Sequence, residues 1–311
     1  YGVERAVALA HETAKAHGGA MLGSVIHNAN VVAELEREGM RLIASPEEAA
    51  AGETVLIRSH GESREVLEEL KARDGIEDAE EISVYDDIDR LATITESNKV
   101  ITSGTFMGYL KIAEGCDKFC TYCVIPHIRG HYRSVPMEQL LKEAEYMASQ
   151  GIEELVLVAQ ETTVYGTDIY GKKSLHILLK ELCKIKGIRW IRVLYCYPEE
   201  IYDELIQTMK EEKKICHYLD LPIQHASDRI LKRMGRRTTQ AELVEIVNKL
   251  RREIPDIVLR TTLISGFPGE TQEDHEELMS FVDEMEFDRL GVFTYSPEED
   301  TPAATMPDQA D

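Results

Sequence analysis

From residue 109 onward, short apolar runs alternate with segments in which apolar residues recur every three or four positions. Such runs predict buried strands, and the three-to-four spacing predicts amphipathic helices. The predicted strands are 109–112, 154–159, 190–194, 218–221, 258–264 and 290–293. The predicted helices are 137–150, 175–183, 201–211, 226–234, 240–253 and 271–285. Strands that alternate with helices indicate an α/β fold with a parallel sheet, and six such units predict an open (β/α)6 partial TIM barrel.

The segment before this barrel has a similar but shorter pattern, which predicts a small parallel α/β lobe. Its predicted strands are 20–26, 41–44 and 54–58, and its predicted helices are 3–17, 31–38 and 63–73. Residues 76–103 are acidic and poorly periodic, which is typical of a linker. We therefore predict four parts, namely a lobe at 1–75, a linker at 76–103, a barrel core at 104–296 and a C-terminal tail at 297–311.

The charge and hydrophobicity of the chain indicate which kinds of partner and which cellular compartment to expect. The 311-residue chain carries a formal net charge of −22, and its basic residues cluster only at 232–237 and 251–252. A nucleic-acid-binding protein usually has a basic face, so we expect no direct nucleic-acid partner; an acidic surface suits a basic protein partner or simple solubility. No apolar run of about 18 residues predicts a membrane span, and no signal peptide is recognised. We expect a cytoplasmic protein without a membrane partner.

Three of the six cysteines lie close together, at Cys116, Cys120 and Cys123, and none precedes them. Three thiolates on one tight loop can bind three irons of a 4Fe-4S cluster and leave the fourth iron open. An open iron can chelate the amino and carboxylate groups of S-adenosylmethionine (SAM), and an electron from the cluster can cleave the sulfonium to a 5′-deoxyadenosyl radical. The alternative is a zinc site with His127 or His131 as the fourth ligand. The other cysteines, Cys183, Cys196 and Cys216, suit buried packing.

Polar side chains follow most of the predicted barrel strands. They occupy the segments 160–163, 195–198, 222–225, 260–262 and 265–270. Because active sites of such barrels lie at the C-terminal ends of the strands, these segments and the cysteine motif are expected to share one mouth. Each segment alone also suits a turn or a helix cap.

From about residue 87 to 308 the chain resembles the radical SAM methylthiotransferases. The motifs that carry the resemblance are 110–116, 120–126, 129–134, 222–227 and 266–271. Two further segments, 158–166 and 296–304, resemble the RimO branch, whose members modify an aspartate of a small-subunit ribosomal protein. The tRNA-modifying branch, MiaB, typically has Leu-Gly-Gln-Asn-Val where this chain has Val-Ala-Gln-Glu-Thr.

The resemblance implies a radical SAM barrel with a 4Fe-4S cluster and SAM as cofactors. It implies that Cys116, Cys120 and Cys123 are the cluster ligands and that Tyr122 lies near the adenine. Candidate cofactor or substrate contacts are Gln160, Gln224 and Arg260; no separate catalytic residue is assigned. The implied partners are the ribosomal protein substrate and a reductant such as flavodoxin or ferredoxin. The alternatives are a tRNA methylthiotransferase, or a chimeric remnant that cleaves SAM without methylthio transfer.

The chain departs from this family's pattern at both ends. The family normally carries three more cysteines in an N-terminal domain, where they hold a second cluster, and it usually continues into a small β-rich TRAM domain. We expect both features to be absent here. Residues 1–75 resemble instead the first lobe of 4-hydroxy-3-methylbut-2-enyl diphosphate reductase (IspH or LytB), in which His27 and His60 would contact the diphosphate. Without that family's cysteines we expect no reductase activity, and a splice near 75–85 is the simplest account.

Overall fold

The computed structural model of the protein describes residues 10–15, 18–23, 29–50, 53–57 and 106–309. The chain divides into two compact units, Tyr1–Asp87 and Ile88–Asp311. The predicted helix at 63–73 and the predicted linker at 76–103 lie outside the described residues, as do His27 and His60. The proposed division into four parts therefore stays a prediction.

The first unit contains a small parallel sheet, as predicted. Its strands are β1 (Gly19–Leu22), β2 (Met40–Ile43) and β3 (Val55–Ile57), and its helices are residues 10–15 and α1 (Ala29–Arg37). Strand β1 lies between β2 and β3 and is parallel to both. Because successive side chains of a strand point to opposite faces, Met21 packs with Leu35 on one face while Leu22 packs with Ile43 on the other.

The second unit is built on a six-stranded parallel sheet. Its strands, with the two short strands β5 and β6, are β4 (Met107–Lys111), β5 (Ala113–Glu114), β6 (Arg133–Ser134), β7 (Glu154–Val158), β8 (Trp190–Val193), β9 (Ile215–Asp220), β10 (Val258–Ser265) and β11 (Arg289–Thr294). The spatial order is β11-β10-β9-β8-β7-β4, which follows the chain, and every pair in the sheet is parallel. The predicted open (β/α)6 partial barrel is confirmed.

The longer helices of this unit pack on the sheet through the main hydrophobic core. The helices are α2 (Ile125–Arg129), α3 (Met137–Ser149), α4 (Thr167–Tyr170), α5 (Leu175–Cys183), α6 (Asp203–Glu211), α7 (Asp228–Arg233), α8 (Gln240–Glu253) and α9 (Gln272–Met285). Thr239 and Thr271 begin α8 and α9 with capping boxes, in which the threonine and an acidic side chain satisfy each other's free backbone N–H groups. The short helices α2 and α4 and the β5–β6 pair are not predicted from the sequence, because elements of so few residues show no hydrophobic periodicity.

The two faces of the sheet differ in burial, and this difference gives the barrel an interior. On β10, Leu259 and Leu263 join the main hydrophobic core with the helices, whereas Arg260 and Thr262 are half-buried on the opposite face. Polar side chains on the inner face are therefore available to a bound molecule. Among the described helices, none is both long and apolar enough to cross a membrane.

Candidate functional site

The cysteine loop, defined here as residues 115–123, starts at the C-terminal end of the first barrel strand. Strands β5 and β6 pair in an antiparallel hairpin and close the longer excursion that contains the loop. The N–H of Cys116 donates to the carbonyl of Gly130 at 3.2 Å, next to that hairpin. The prediction that the first strand delivers the cysteines to the mouth of the barrel is confirmed.

The start of the loop depends on a glycine and a glutamine. Gly115 has φ +81°, and a Cβ there would lie 2.0 Å from the carbonyl oxygen of His131, so only glycine fits. The N–H of Gly115 donates to Oε1 of Gln160 at 2.9 Å. Gln160 follows β7, so this hydrogen bond ties the cysteine loop to the end of the second barrel strand.

The far part of the loop is held by α7 and by the C-terminal segment. The N–H of Thr121 donates to the carbonyl of Met234 at 3.0 Å, and its hydroxyl donates to the carbonyl of Arg233 at 2.9 Å. The carbonyl of Thr121 accepts from the N–H of Ala303 at 2.8 Å. Together with the hydrogen bond between Gly115 and Gln160, these contacts hold the loop to the end of β7, the end of α7 and the C-terminal segment.

The three thiols of the cysteine loop are largely buried. Cys116 and Cys120 are buried and Cys123 is half-buried, and none forms a disulfide. Burial, together with smaller repulsive contributions from Cys120 and Cys123, raises the pKa of Cys116 to about 11. The raised pKa disfavours the thiolate in the absence of metal. Bound iron reverses this, because a metal-bound thiol is deprotonated.

The chemistry of this donor set fits an iron-sulfur cluster. A cluster of this kind is held by thiolates, each on a different iron, and the three cysteines of one tight loop can provide three of them. Among the described residues, no group of three or more His, Cys, Asp or Glu side chains is arranged around a single metal ion. His131, a candidate fourth ligand for zinc, has its Nδ1 2.7 Å from Oδ1 of Asp117 and is exposed.

Tyr122 stands between the cysteines and the turn that follows β10. Its ring meets the ring of Phe267 edge-on, with centroids 6.4 Å apart. Burial, followed by the charge of the adjacent Cys120, raises the pKa of Tyr122, so the phenol stays neutral. Its predicted place near the adenine of SAM stays a prediction.

A cavity of about 360 Å³ opens beside Cys116. Its wall includes Cys116, Lys118, Tyr132, Glu161, Asp168 and Arg237. Glu161 is only 1% exposed; its Oε1 accepts from the N–H of Thr163 at 2.8 Å, whereas its Oε2 has no hydrogen-bond partner among the described residues. Burial raises the pKa of Glu161 to about 7. In the sequence Glu161 is recognisable only as part of a strand end, because its burial depends on distant segments.

The carboxyl of Glu161 should make the cluster-free protein less stable as pH rises. The unfolded group ionises near pH 4.5 and the folded group near pH 7, so between these values unfolding releases a proton. Over this range Glu161 should cost about 3 kcal/mol of unfolding free energy, a loss absent in Glu161→Gln. Urea unfolding at pH 5 and pH 8 measures it, with Glu181→Gln on the surface as control. Equal pH dependence in parent and Glu161→Gln would disprove the assignment.

The other two predicted contacts, Gln224 and Arg260, form hydrogen bonds with residues of β9 or β10. Nη1 of Arg260 donates to Oδ1 of Asp220 at 2.6 Å and to the hydroxyl of Thr262 at 3.1 Å. Gln224 has φ +72°, and its backbone bonds to β10 through the carbonyl of Thr262 and the N–H of Ile264. Their proposed contact with cofactor or substrate stays a prediction.

Two residues without a predicted role lie against the cysteine loop. The hydroxyl of Tyr197 is 3.4 Å from Sγ of Cys120, and the guanidinium of Arg236 lies over the Tyr197 ring. Tyr197 belongs to a strand end noted in the sequence, and Arg236 belongs to the basic cluster at 232–237. Tyr197 follows β8 and Arg236 follows α7, so their contact arises only when these two elements pack together in the fold. It cannot be predicted from either segment by itself.

Comparison with known proteins identifies the family. The family profile described as the radical SAM superfamily matches residues 110–282. The chain belongs to the radical SAM superfamily. The predicted cofactors, a 4Fe-4S cluster and SAM, are those of this family and are confirmed at that level. The matched range includes the whole cysteine loop and ends within α9.

Individual relatives are closely similar to this chain over about half of their own length. The chain is 66% identical over 225 residues to the ribosomal protein uS12 methylthiotransferase RimO of Lachnoclostridium phytofermentans, covering 72% of this chain and 51% of that protein. It is 54% identical over 238 residues to the protein of the same name from Clostridium botulinum, covering 76% and 52%. The predicted resemblance to the RimO branch is confirmed. The chain spans about half the length of these relatives.

A solved structure and a second family profile complete the comparison. The radical SAM methyltransferase TsrM of Kitasatospora setae has a TM-score of 0.54 with 19% identity, over 64% of this chain and 38% of that one. At this identity the match supports the fold alone, and it agrees with the partial barrel. The profile described as LytB protein matches residues 1–105, in agreement with the resemblance noted for the N-terminal segment.

Proposed function

We propose that this chain contains the catalytic core of a radical SAM methylthiotransferase that acts on an aspartate of a small-subunit ribosomal protein. The observation that carries the proposal is the three-cysteine loop at the barrel mouth, in a chain 66% identical over 225 residues to a protein named ribosomal protein uS12 methylthiotransferase RimO. A reductant such as flavodoxin or ferredoxin would supply the electron.

In this proposal Cys116, Cys120 and Cys123 hold the cluster. When bound, the cluster supplies an open iron and an electron for cleavage of SAM to a 5′-deoxyadenosyl radical. The protein orients the reacting groups: Gln160 fixes the start of the cysteine loop, and the Tyr122 ring offers an apolar surface for the adenine. The cavity of about 360 Å³ beside Cys116, with the buried carboxyl of Glu161 in its wall, would offer space for the reactants.

Hydrogen abstraction from the target aspartate tests the proposed substrate. The anaerobically reconstituted, dithionite-reduced protein would receive SAM and a uS12 peptide whose target aspartate is deuterated at the β-carbon. We expect deuterium in the 5′-deoxyadenosine, because the radical takes its hydrogen from that carbon. The matched control is the same peptide with deuterium on a different aspartate, from which none should be transferred.

Two results would contradict the proposed substrate. One is 5′-deoxyadenosine that carries no deuterium at any peptide concentration. The other is uptake of hydrogen from added tRNA rather than from the peptide, which would favour the tRNA-modifying branch. Both leave the cluster assignment untouched, because 5′-deoxyadenosine formation itself reports on the cluster.

A further inference from the structure

Arg236 is a buried cation whose donors are only partly used. The residue is 6% exposed and its side chain is fully buried. Nη2 donates to the carbonyl of Pro222 at 3.1 Å and lies 3.6 Å from Oε2 of Glu199, without a hydrogen bond between them. Nε and Nη1 have no partner among the described residues. Unmade hydrogen bonds on a buried guanidinium are costly, so these donors indicate a missing acceptor nearby.

The surroundings of Arg236 place that acceptor at the Cys120 side of the cysteine loop. Its Cζ lies 4.2 Å from the centroid of the Tyr197 ring, and the Tyr197 hydroxyl lies 3.4 Å from Sγ of Cys120. Nζ of Lys118 lies 5.1 Å from the same ring, and Lys118 is hydrogen-bonded to Glu200. Arg236 differs because, besides its ion pair with Glu199, two of its donor nitrogens have no partner among the described residues.

We propose that Arg236 and Tyr197 are positioning residues that stabilise negative charge at the Cys120 corner of the cluster and thereby raise its reduction potential. The inference rests on the proposed binding of the cluster by the three cysteines. A thiolate has no proton, so the hydrogen bond at Cys120 must be donated by the Tyr197 hydroxyl. Hydrogen bonds to cluster sulfurs and the net charge around a cluster both set its potential.

The electron balance explains why a buried cation favours the reduced state. One electron from an external reductant enters the cluster, and no bond forms or breaks in that step. The reduced cluster carries one more negative charge than the oxidised cluster. The guanidinium of Arg236 reaches this corner through the Tyr197 ring, and its ion pair with Glu199 at 3.6 Å leaves Nε and Nη1 without partners among the described residues. In a buried place such a cation stabilises the reduced form more than the oxidised form.

A potentiometric titration of the full chain tests the inference. Each anaerobically reconstituted protein would be titrated with dithionite without SAM, and the reduced cluster measured by electron paramagnetic resonance. In Arg236→Met the reduced-to-oxidised ratio at a fixed potential should fall about tenfold, which is a shift of about 59 mV for a one-electron couple. Tyr197→Phe should lower the ratio by a smaller factor, and Arg236→Lys should retain most of it because the charge remains.

Arg192→Met is the matched control for loss of a guanidinium over an aromatic ring. Arg192 lies 4.9 Å from the Tyr218 ring centroid and pairs with Glu154 at 2.8 Å, on strands β8 and β7. Its removal should leave the potential unchanged while the cluster is retained. An equal fall in this variant would mean that the effect is not specific to Arg236 and would overturn the inference.

Further outcomes distinguish failure of the proposed effect of Arg236 and Tyr197 on the reduction potential from failure of the cluster assignment. An unchanged potential in Arg236→Met with full iron content would overturn the inference. Weaker SAM binding as the only effect would also overturn it, because Nε and Nη1 of Arg236 would then be donors to SAM rather than to the cluster. If Arg236→Met does not fold, Tyr197→Phe loses only a hydroxyl, and an unchanged ratio in that variant is decisive against the inference. Absence of a cluster from the parent protein would refute the cluster assignment itself, and with it this inference.

Discussion

Replacing Cys120 with Ala is expected to lower reductive SAM cleavage to the level of a protein-free reaction. Cys120 is buried in the middle of the cysteine loop, between the other two ligands. Two remaining thiolates cannot hold a cubane with a single open iron, so neither chelation of SAM nor electron transfer to it remains. Chromatographic measurement of 5′-deoxyadenosine after anaerobic reconstitution and dithionite reduction gives the result directly.

The matched control for this substitution is Cys183→Ala. Cys183 ends α5 and packs against the main hydrophobic core, away from the cysteine loop. Its iron content and cleavage rate should equal those of the parent protein, apart from a small loss of stability. Cleavage by Cys120→Ala at the parent rate would refute the assignment of Cys120 as a ligand.

The second large effect concerns the sulfur-transfer half of the reaction. We expect the 311-residue polypeptide alone to cleave SAM but to install little or no methylthio group on the ribosomal aspartate. The resemblance implies that sulfur is supplied by a second cluster on three further cysteines. The remaining cysteines have separate surroundings, since Cys183 lies by Glu212, Cys196 by Thr162 and Cys216 by Arg192. Three thiolates in separate places cannot ligate one cluster.

Mass spectrometry of the uS12 target after incubation with the reduced protein and SAM measures this outcome. The expected result is an unmodified target together with accumulated 5′-deoxyadenosine. The control omits dithionite and should yield no 5′-deoxyadenosine. A mass gain of one methylthio group on the aspartate would show that a sulfur source other than a second three-cysteine cluster is sufficient.

The sequence predicted most of the barrel because its strands are unambiguous. Strands such as β7 are apolar over nearly their whole length, since parallel strands are covered by helices, and the amphipathic helices between them are long enough to show their period. Helices α5 and α8 have the predicted bounds. Short elements such as α2 and the β5–β6 pair show no such periodicity. They form because of the way in which the segment between β5 and β6 folds.

The candidate site was predictable only as far as its local motif. Cys116, Cys120 and Cys123 are adjacent in the sequence, so their spacing carries the chemistry by itself. The roles of Tyr197 and Arg236 depend on strands and helices that meet only in the fold, and a basic cluster in the sequence does not reveal which arginine is buried. The predicted contact of Gln160 with cofactor or substrate stays a prediction; its hydrogen bond to Gly115, within the cysteine loop, could not be read from the sequence.

Iron and sulfide content of the anaerobically reconstituted chain is the most direct test of the central claim, that Cys116, Cys120 and Cys123 together hold one 4Fe-4S cluster. The account predicts about four irons and four sulfides per chain. It also predicts that this content is lost when all three cysteines are changed to alanine and retained in Cys183→Ala. Tightly bound zinc without sulfide, or a full cluster in the triple variant, would contradict the account.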